Sequence, residues 1–199
     1  MEMNNLPKKG LDKNAVIERA ALLANEKGLD NVTLKELADS LEIRSPSLYN
    51  HISGLEELKR EIMLYGWKKA DERILCAAEN CSDYEAVKAM CRAFYSYATE
   101  NKGIFSAMLW YNKYADTGSM EATSGLFSRL YMIMENMGIS RNITEHLIRT
   151  LRGFLEGFAL LVNNGAFGHP ADIDESFEMS LDVLIEGIRA AAGKERKEI

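Results

Sequence analysis

The 199-residue sequence predicts an all-α protein, and three observations carry that expectation. Apolar residues recur at three- and four-residue intervals over long stretches, the repeat of a half-buried helix. Only three prolines occur, Pro7, Pro46 and Pro170, and each sits in a tail, a helix start or a loop. Between Thr33 and Leu58 helix-start signals follow one another closely, and nowhere does the chain alternate polar and apolar residues as a strand would. About nine helices are expected.

The first helix is predicted over 13–27. Asp12 is a suitable cap, and Val16, Ala20, Leu23, Ala24 and Lys27 form its buried stripe. Gly28 ends it in the left-handed region. Thr33 with Glu36 is a capping box opening a short helix over 34–41. Ser45 followed by Pro46 is a cap with proline at the first helical position, where no amide hydrogen is needed, and starts a second short helix over 46–52. Ser53 with Glu56 is another capping box; it opens a longer helix from Leu55 to about Ala78 through Leu58, Ile62, Tyr65 and Lys69. Ser82 with Glu85 opens a helix to about Glu100, which Gly103 is expected to stop. A short apolar segment, Ile104 to Tyr114, leads to a loop at Asp116-Thr117-Gly118-Ser119. Helices over 120–137, ended by Gly138, and over 142–163, ended by Asn164-Gly165, come next. After the loop 166–171 the last helix runs over 173–192, capped by Asp172 or Asp174, and the tail KERKEI is solvated.

Two short helices joined by the tight connection Leu41-Glu42-Ile43-Arg44, the second rich in hydroxyls, make a helix-turn-helix. The second helix of such a unit is shaped to enter a DNA major groove. The domains expected are 1–60, the DNA-binding unit, and 61–199, a helical effector-binding and dimerising unit. Their junction is a helix rather than a flexible linker, so the halves are mechanically coupled.

A chain that is 47% hydrophobic can bury a sizeable core. No apolar run approaches the roughly 20 residues that span a bilayer. The segment MEMNNLPKKGLDK lacks the apolar centre of a signal peptide, so a cytoplasmic protein with no membrane partner is expected. Net charge is -6. Nine basic and eleven acidic residues leave residues 1–62 at -2, so no bulk basic domain exists and the placement of charge must matter. Cys76, Cys81 and Cys91 form no C-x-x-C pair, and His51, His146 and His169 are scattered; no metal or cofactor is expected. With no nucleophile–base pair and no phosphate loop, the chain does not read as an enzyme.

The candidate partner is a double-stranded DNA operator. Ser45, Ser47, Tyr49, Asn50 and His51 carry donors and acceptors for base edges and phosphates, with Arg44 and Pro46 at the helix start. Leu48 and Ile52, four apart, face inward. Thr33 at a helix N-terminus and Lys35 one turn in suit a phosphate. Lys59 is placed for a flanking phosphate, and Lys8 and Lys9 for an arm near the minor groove.

The C-terminal part is crowded with aromatic and Met side chains. Most are core; Phe94, Tyr97, Met108, Trp110, Tyr111 and Phe154 are the candidates to line a pocket for an unknown small-molecule effector. Arg152 and Glu156, four apart, either orient a ligand or form a surface ion pair. Phe177, Leu181, Leu184 and Ile188 make a stripe on the last helix, and Gly153 with Gly157 makes a small step on the one before it. Two such helices from each of two copies would build a four-helix bundle, hence a homodimer.

The run Leu34 to Ile52, with Tyr49-x-His51 closing the second short helix and a long helix after Ser53-Gly54, resembles the TetR family of bacterial transcriptional regulators. That family usually has Phe after the His; Ile52 stands here. Residues 151–184 resemble the C-terminal class called WHG, whose His-Gly step reads Arg152-Gly153 in this chain. The resemblance implies an all-α homodimer with an N-terminal DNA reader and a C-terminal ligand-sensing, dimerising domain. The function expected is a ligand-responsive regulator, a repressor, on a palindromic operator. The rival is a helical ligand-binding or interaction module without sequence-specific DNA binding.

Overall fold

The computed structural model describes residues 11–109 and 117–198, with side chains to Gly193. Among them are nine α-helices and no strand. They are α1 (Lys13–Lys27), α2 (Leu34–Ser40), α3 (Ser45–Leu48), α4 (Leu55–Ala77), α5 (Asp83–Glu100), α6 (Lys102–Met108), α7 (Thr117–Asn136), α8 (Arg141–Asn163) and α9 (Ile173–Glu198). A 3-10 turn, Leu29–Asn31, joins α1 to α2.

The 23-residue α4 is the spine. Its first half packs on α1 and its length on α5, α6 and α7, while α8 and α9 pack on the far side of α5. Buried residues from α1 to α9 form one continuous core, from Val16 and Leu48 through Ile62 and Trp67 to Phe105, Leu151 and Leu181. Ion pairs stitch its rim. Arg73 on α4 holds Glu100 on α5 (2.6 Å), Arg92 on α5 clasps Glu178 on α9 with two nitrogens, and Lys88 holds Asp182 (2.7 Å).

Several local expectations change. Asp12 caps α1 as expected, its carboxylate accepting from the Ala15 amide at 2.8 Å. Thr33 accepts from the Glu36 amide at 3.2 Å, and its hydroxyl donates to the Glu36 carboxylate at 2.9 Å. Ser45, however, is the first residue of α3; Arg44 occupies the cap and Pro46 the second helical position. Only 45–48 is α-helical, and 49–51 continues as turn. The second box is shifted by one: Gly54 is the cap of α4, and Glu57, not Glu56, reaches back to accept from the Ser53 amide at 2.6 Å. Ser53 and then Lys13 hold the Glu57 carboxyl down at about 2. Ser82 sits at the cap of α5 without a side-chain hydrogen bond. Thr117, Gly118 and Ser119 belong to α7 rather than to a loop, and Ser119 is fully buried there. The terminal helix runs past Ala192, through Gly193 and into the charged tail.

Gly103 does not stop α5. It lies inside α6, where a Cβ would overlap the carbonyl oxygen of Ala24, so its missing side chain lets α6 lie directly on α1. The chain turns between α5 and α6 at Asn101 instead.

Candidate DNA-reading face and effector cavity

The reader is built around two buried anchors. Leu48 and Ile52 have 0% and 2% exposure and pin α3 to the core formed by Val32, Leu37 and Ala38. Anchoring that side fixes what faces outward. Thr33, Lys35, Arg44, Pro46, Ser47, Tyr49 and Asn50 are exposed, and Ser45 and His51 are half-buried. The Tyr49 ring is 59% exposed, unusual for a large aromatic and costly without a partner. Among the described residues neither Lys35 nor Arg44 is held in an ion pair, whereas Lys27 is taken by Glu36 (2.7 Å).

Lys59 departs from expectation. It reaches Asp30 at 2.9 Å with its side chain only 11% exposed, so it braces the turn after α1 instead of standing free for a phosphate. Acidic residues of this half are consumed likewise: Glu57 and Glu61 share Lys13 at 3.1 and 2.9 Å. This pairing is how a unit with no net positive charge can keep an uncompensated basic edge. Lys8 and Lys9 lie outside the described residues.

Four helices line a partly open apolar cavity of about 50 Å³ in the C-terminal half. Trp67 and Ile74 of α4, Met90, Cys91 and Phe94 of α5, Leu126, Phe127 and Leu130 of α7, and Ile148, Leu151, Arg152 and Leu155 of α8 line it. Of the candidates named from sequence, Phe94 is on this wall. Met108 is fully buried core beside Trp67, and Tyr97 belongs to a separate cleft between α1, α4 and α5. Phe154 stacks on Phe177 (5.6 Å between centroids) in an aromatic cluster with Tyr95 and Phe158 that seals α8 and α9 onto α5. Trp110 and Tyr111 lie outside the described residues. Sequence inspection missed Trp67 and Met90, because apolar spacing marks a side chain as buried without saying whether it meets another side chain or a void. Burial pushes the Cys91 thiol up to about 12, so it stays protonated.

Cavity and reader share one short helix. The Trp67 indole N–H donates to the Met108 carbonyl at the C-terminal end of α6 (3.2 Å), and Phe94 meets Phe105 of α6 edge-on at 6.2 Å. At its other end the Gly103 and Ile104 amides donate to Oδ1 of Asn25 on α1, at 3.1 and 3.0 Å. Nδ2 of Asn25 in turn donates to Asn101 Oδ1 at 2.9 Å. Asn25 thus caps helix amides 78 and 79 residues away from it in sequence, a role no local pattern announces.

The stripe expected to dimerise faces the wrong way. Phe177, Leu181 and Ile188 are at most 2% exposed, packed inside the protomer, and Leu184 is half-buried at the edge. On α9 the outward residues are Met179 and Val183, 66% and 72% exposed. On α8 they are Leu160 and Leu161, both 43% exposed, beside Gly153 and Gly157, which have open space at their Cα positions.

An all-helical chain with an anchored helix-turn-helix and an apolar cavity in its C-terminal half fits a DNA-binding, ligand-responsive transcriptional regulator, the reading that known proteins support. A family model described as a tetracyclin repressor-like C-terminal domain matches residues 87–184, which include the 151–184 stretch singled out from sequence. The chain is 29% identical over 184 residues to the uncharacterized HTH-type transcriptional regulator YobS of Bacillus subtilis, covering 92% of this chain and 95% of that one. A Rhodococcus protein of unknown function shares the fold with a TM-score of 0.77 at 17% identity, covering 92% of this chain and 98% of that chain. A TetR variant of Acinetobacter baumannii in complex with minocycline does so with a TM-score of 0.63 at 20% identity, over 90% of this chain and 97% of that one. Together these likenesses support a TetR-family transcriptional regulator.

Proposed function

We propose that this protein is a cytoplasmic, homodimeric repressor that releases an inverted-repeat operator when a small molecule enters the α4–α5–α7–α8 cavity. Residues 1–60 read DNA, and residues 61–199 sense the effector and dimerise. Arg44, Ser45, Ser47, Tyr49, Asn50 and His51 meet base edges and phosphates. Thr33 and Lys35 hold a phosphate at the start of α2, and Pro46 shapes the entry to α3. Lys59 contributes by bracing the turn after α1. No helix among the described residues is long and apolar enough to cross a membrane, in keeping with a soluble regulator. Nothing in the mechanism requires catalysis.

The observation that carries the proposal is the orientation of α3: apolar anchors fully buried, hydroxyls, amide and an aromatic ring turned to solvent. Two such helices in successive major grooves stand about 34 Å apart or slightly more. An effector acts only through differential affinity for two conformers. The route available here runs from the cavity wall through Trp67 and α6 to Asn25 on α1.

The test is operator binding by the Tyr49→Ala variant, on DNA selected from a random pool. Tyr49 makes little use of the core, so the fold should persist. Affinity in a gel shift should fall at least tenfold, about 1.4 kcal/mol or more. Wild-type affinity in a correctly folded variant would remove Tyr49 from the interface and with it the proposed face.

A further inference from the structure

The cavity also speaks to the chemistry of what enters it. Eleven of its twelve lining residues are apolar, and the twelfth, Arg152, already has its Nε on Glu156 at 2.7 Å. Each charge of that pair cancels the other at the rim. A carboxylate entering would meet a guanidinium whose charge Glu156 already balances, and a cation would meet a carboxylate that Arg152 already balances. Among the described residues no buried side-chain nitrogen or oxygen lacks a hydrogen-bond partner, so no donor or acceptor waits inside for a polar ligand atom. Cys91 offers only a small, soft, protonated surface. Burying an uncompensated polar or charged group in such a place costs several kcal/mol, roughly 2–7 for a neutral group and more for an ion.

Resting on the regulator reading above, we propose that the effector is a neutral, hydrocarbon-like molecule that places a single ring or an equivalent branched apolar group between Trp67, Phe94 and Leu151. The cavity's present volume of about 50 Å³ is smaller than such a group needs; an engineered lysozyme cavity of ~150 Å³ holds benzene. Entry therefore requires the wall to yield. Met90, unbranched and with three rotatable bonds, is the residue able to refill the remaining space, and Phe127 is the half-buried ring on the opposite helix. Since Trp67 is both wall and tether of α6, enlargement on that side is the step that distinguishes the occupied conformer from the empty one.

The experiment is calorimetric titration of the full-length protein with toluene, benzoate and benzylamine, three probes of one shape and different charge. Toluene should bind with a submillimolar dissociation constant, with the two ions at least tenfold weaker. Cys91→Leu, which fills the void, should weaken toluene at least tenfold; Leu151→Ala, which enlarges it, should tighten it. The two variants move affinity in opposite directions, so a folding failure in one leaves the other as the check. Benzoate or benzylamine binding as tightly as toluene overturns the proposal, as does no toluene binding by protein that still shifts its operator. Failure to bind any DNA from a random pool would instead strike the regulator reading, whatever the toluene titration gives.

Discussion

Glu42 stands where the ends of α7 and α8 use glycine. At the end of α2 the Ile43 amide bonds the Ala38 carbonyl and the Glu42 amide bonds the Asp39 carbonyl, a Schellman closure. The same pair of bonds closes α7 at Gly138 and α8 at Gly165, with φ of 78° and 61°. Glu42 adopts φ 55° with a full side chain. A left-handed non-glycine residue costs roughly 1–2 kcal/mol, of which glycine's greater chain entropy returns part. Glu42→Gly is therefore expected to stabilise the protein by about 0.5–1 kcal/mol, raising the melting temperature by roughly 1–4 °C in a calorimetric scan. A lowered melting temperature would show that the Glu42 side chain contributes more than its backbone costs. The substitution leaves Arg44 and Tyr49 in place, so operator affinity should hold.

Among the elements, α6 has its two ends held by different helices, α4 and α1. It is seven residues long, too short to be stable alone, so its existence depends on what grips it. Trp67 takes one end and Asn25 the other, and Gly103 allows α1 to approach without an intervening side chain. Replacing Asn25 with Ala leaves the Gly103 and Ile104 amides without that acceptor. The cost expected is about 1–3 kcal/mol in denaturant unfolding. A second effect follows if α6 carries the signal: the variant should bind operator yet lose most of its effector-dependent release. Undiminished release by Asn25→Ala would place the coupling elsewhere, most simply along α4 itself.

At the scale of the whole molecule, the outer faces of α8 and α9 are the surface proposed for the partner copy. Exposed Met179, Val183, Leu160 and Leu161 lie there with Gly153 and Gly157, small residues that allow helices to approach closely. Val183→Glu is expected to yield monomers in sedimentation velocity with an unchanged helical circular dichroism spectrum. Operator affinity should fall steeply, because a single reader loses the effective concentration supplied by its twin. A persistent dimer would move the interface to another face. Leu181→Glu is the contrasting control: at 0% exposure it should unfold the protomer rather than separate two copies.

Much of this architecture is legible in the chain because it is set by neighbours in sequence. Asp12, the Thr33–Glu36 box, Gly28, Gly138 and Gly165 act within a turn or two of themselves, so helix ends, the helix-turn-helix and the inward side of α3 at Leu48 and Ile52 follow from local chemistry. Decisions made across tens of residues were not available there. Helical periodicity placed Phe177, Leu181 and Ile188 on one apolar stripe, but only the position of α9 against α5 and α8 turns that stripe inward and leaves Val183 outside. The same holds for Lys59 drawn to Asp30, for Asn25 capping α6, and for a void that opens at Trp67 and Met90 instead of at Met108. A sequence states which side of a helix is apolar; packing decides what that side meets, since a neighbouring helix, a partner copy and a ligand all satisfy the same loss of water contact.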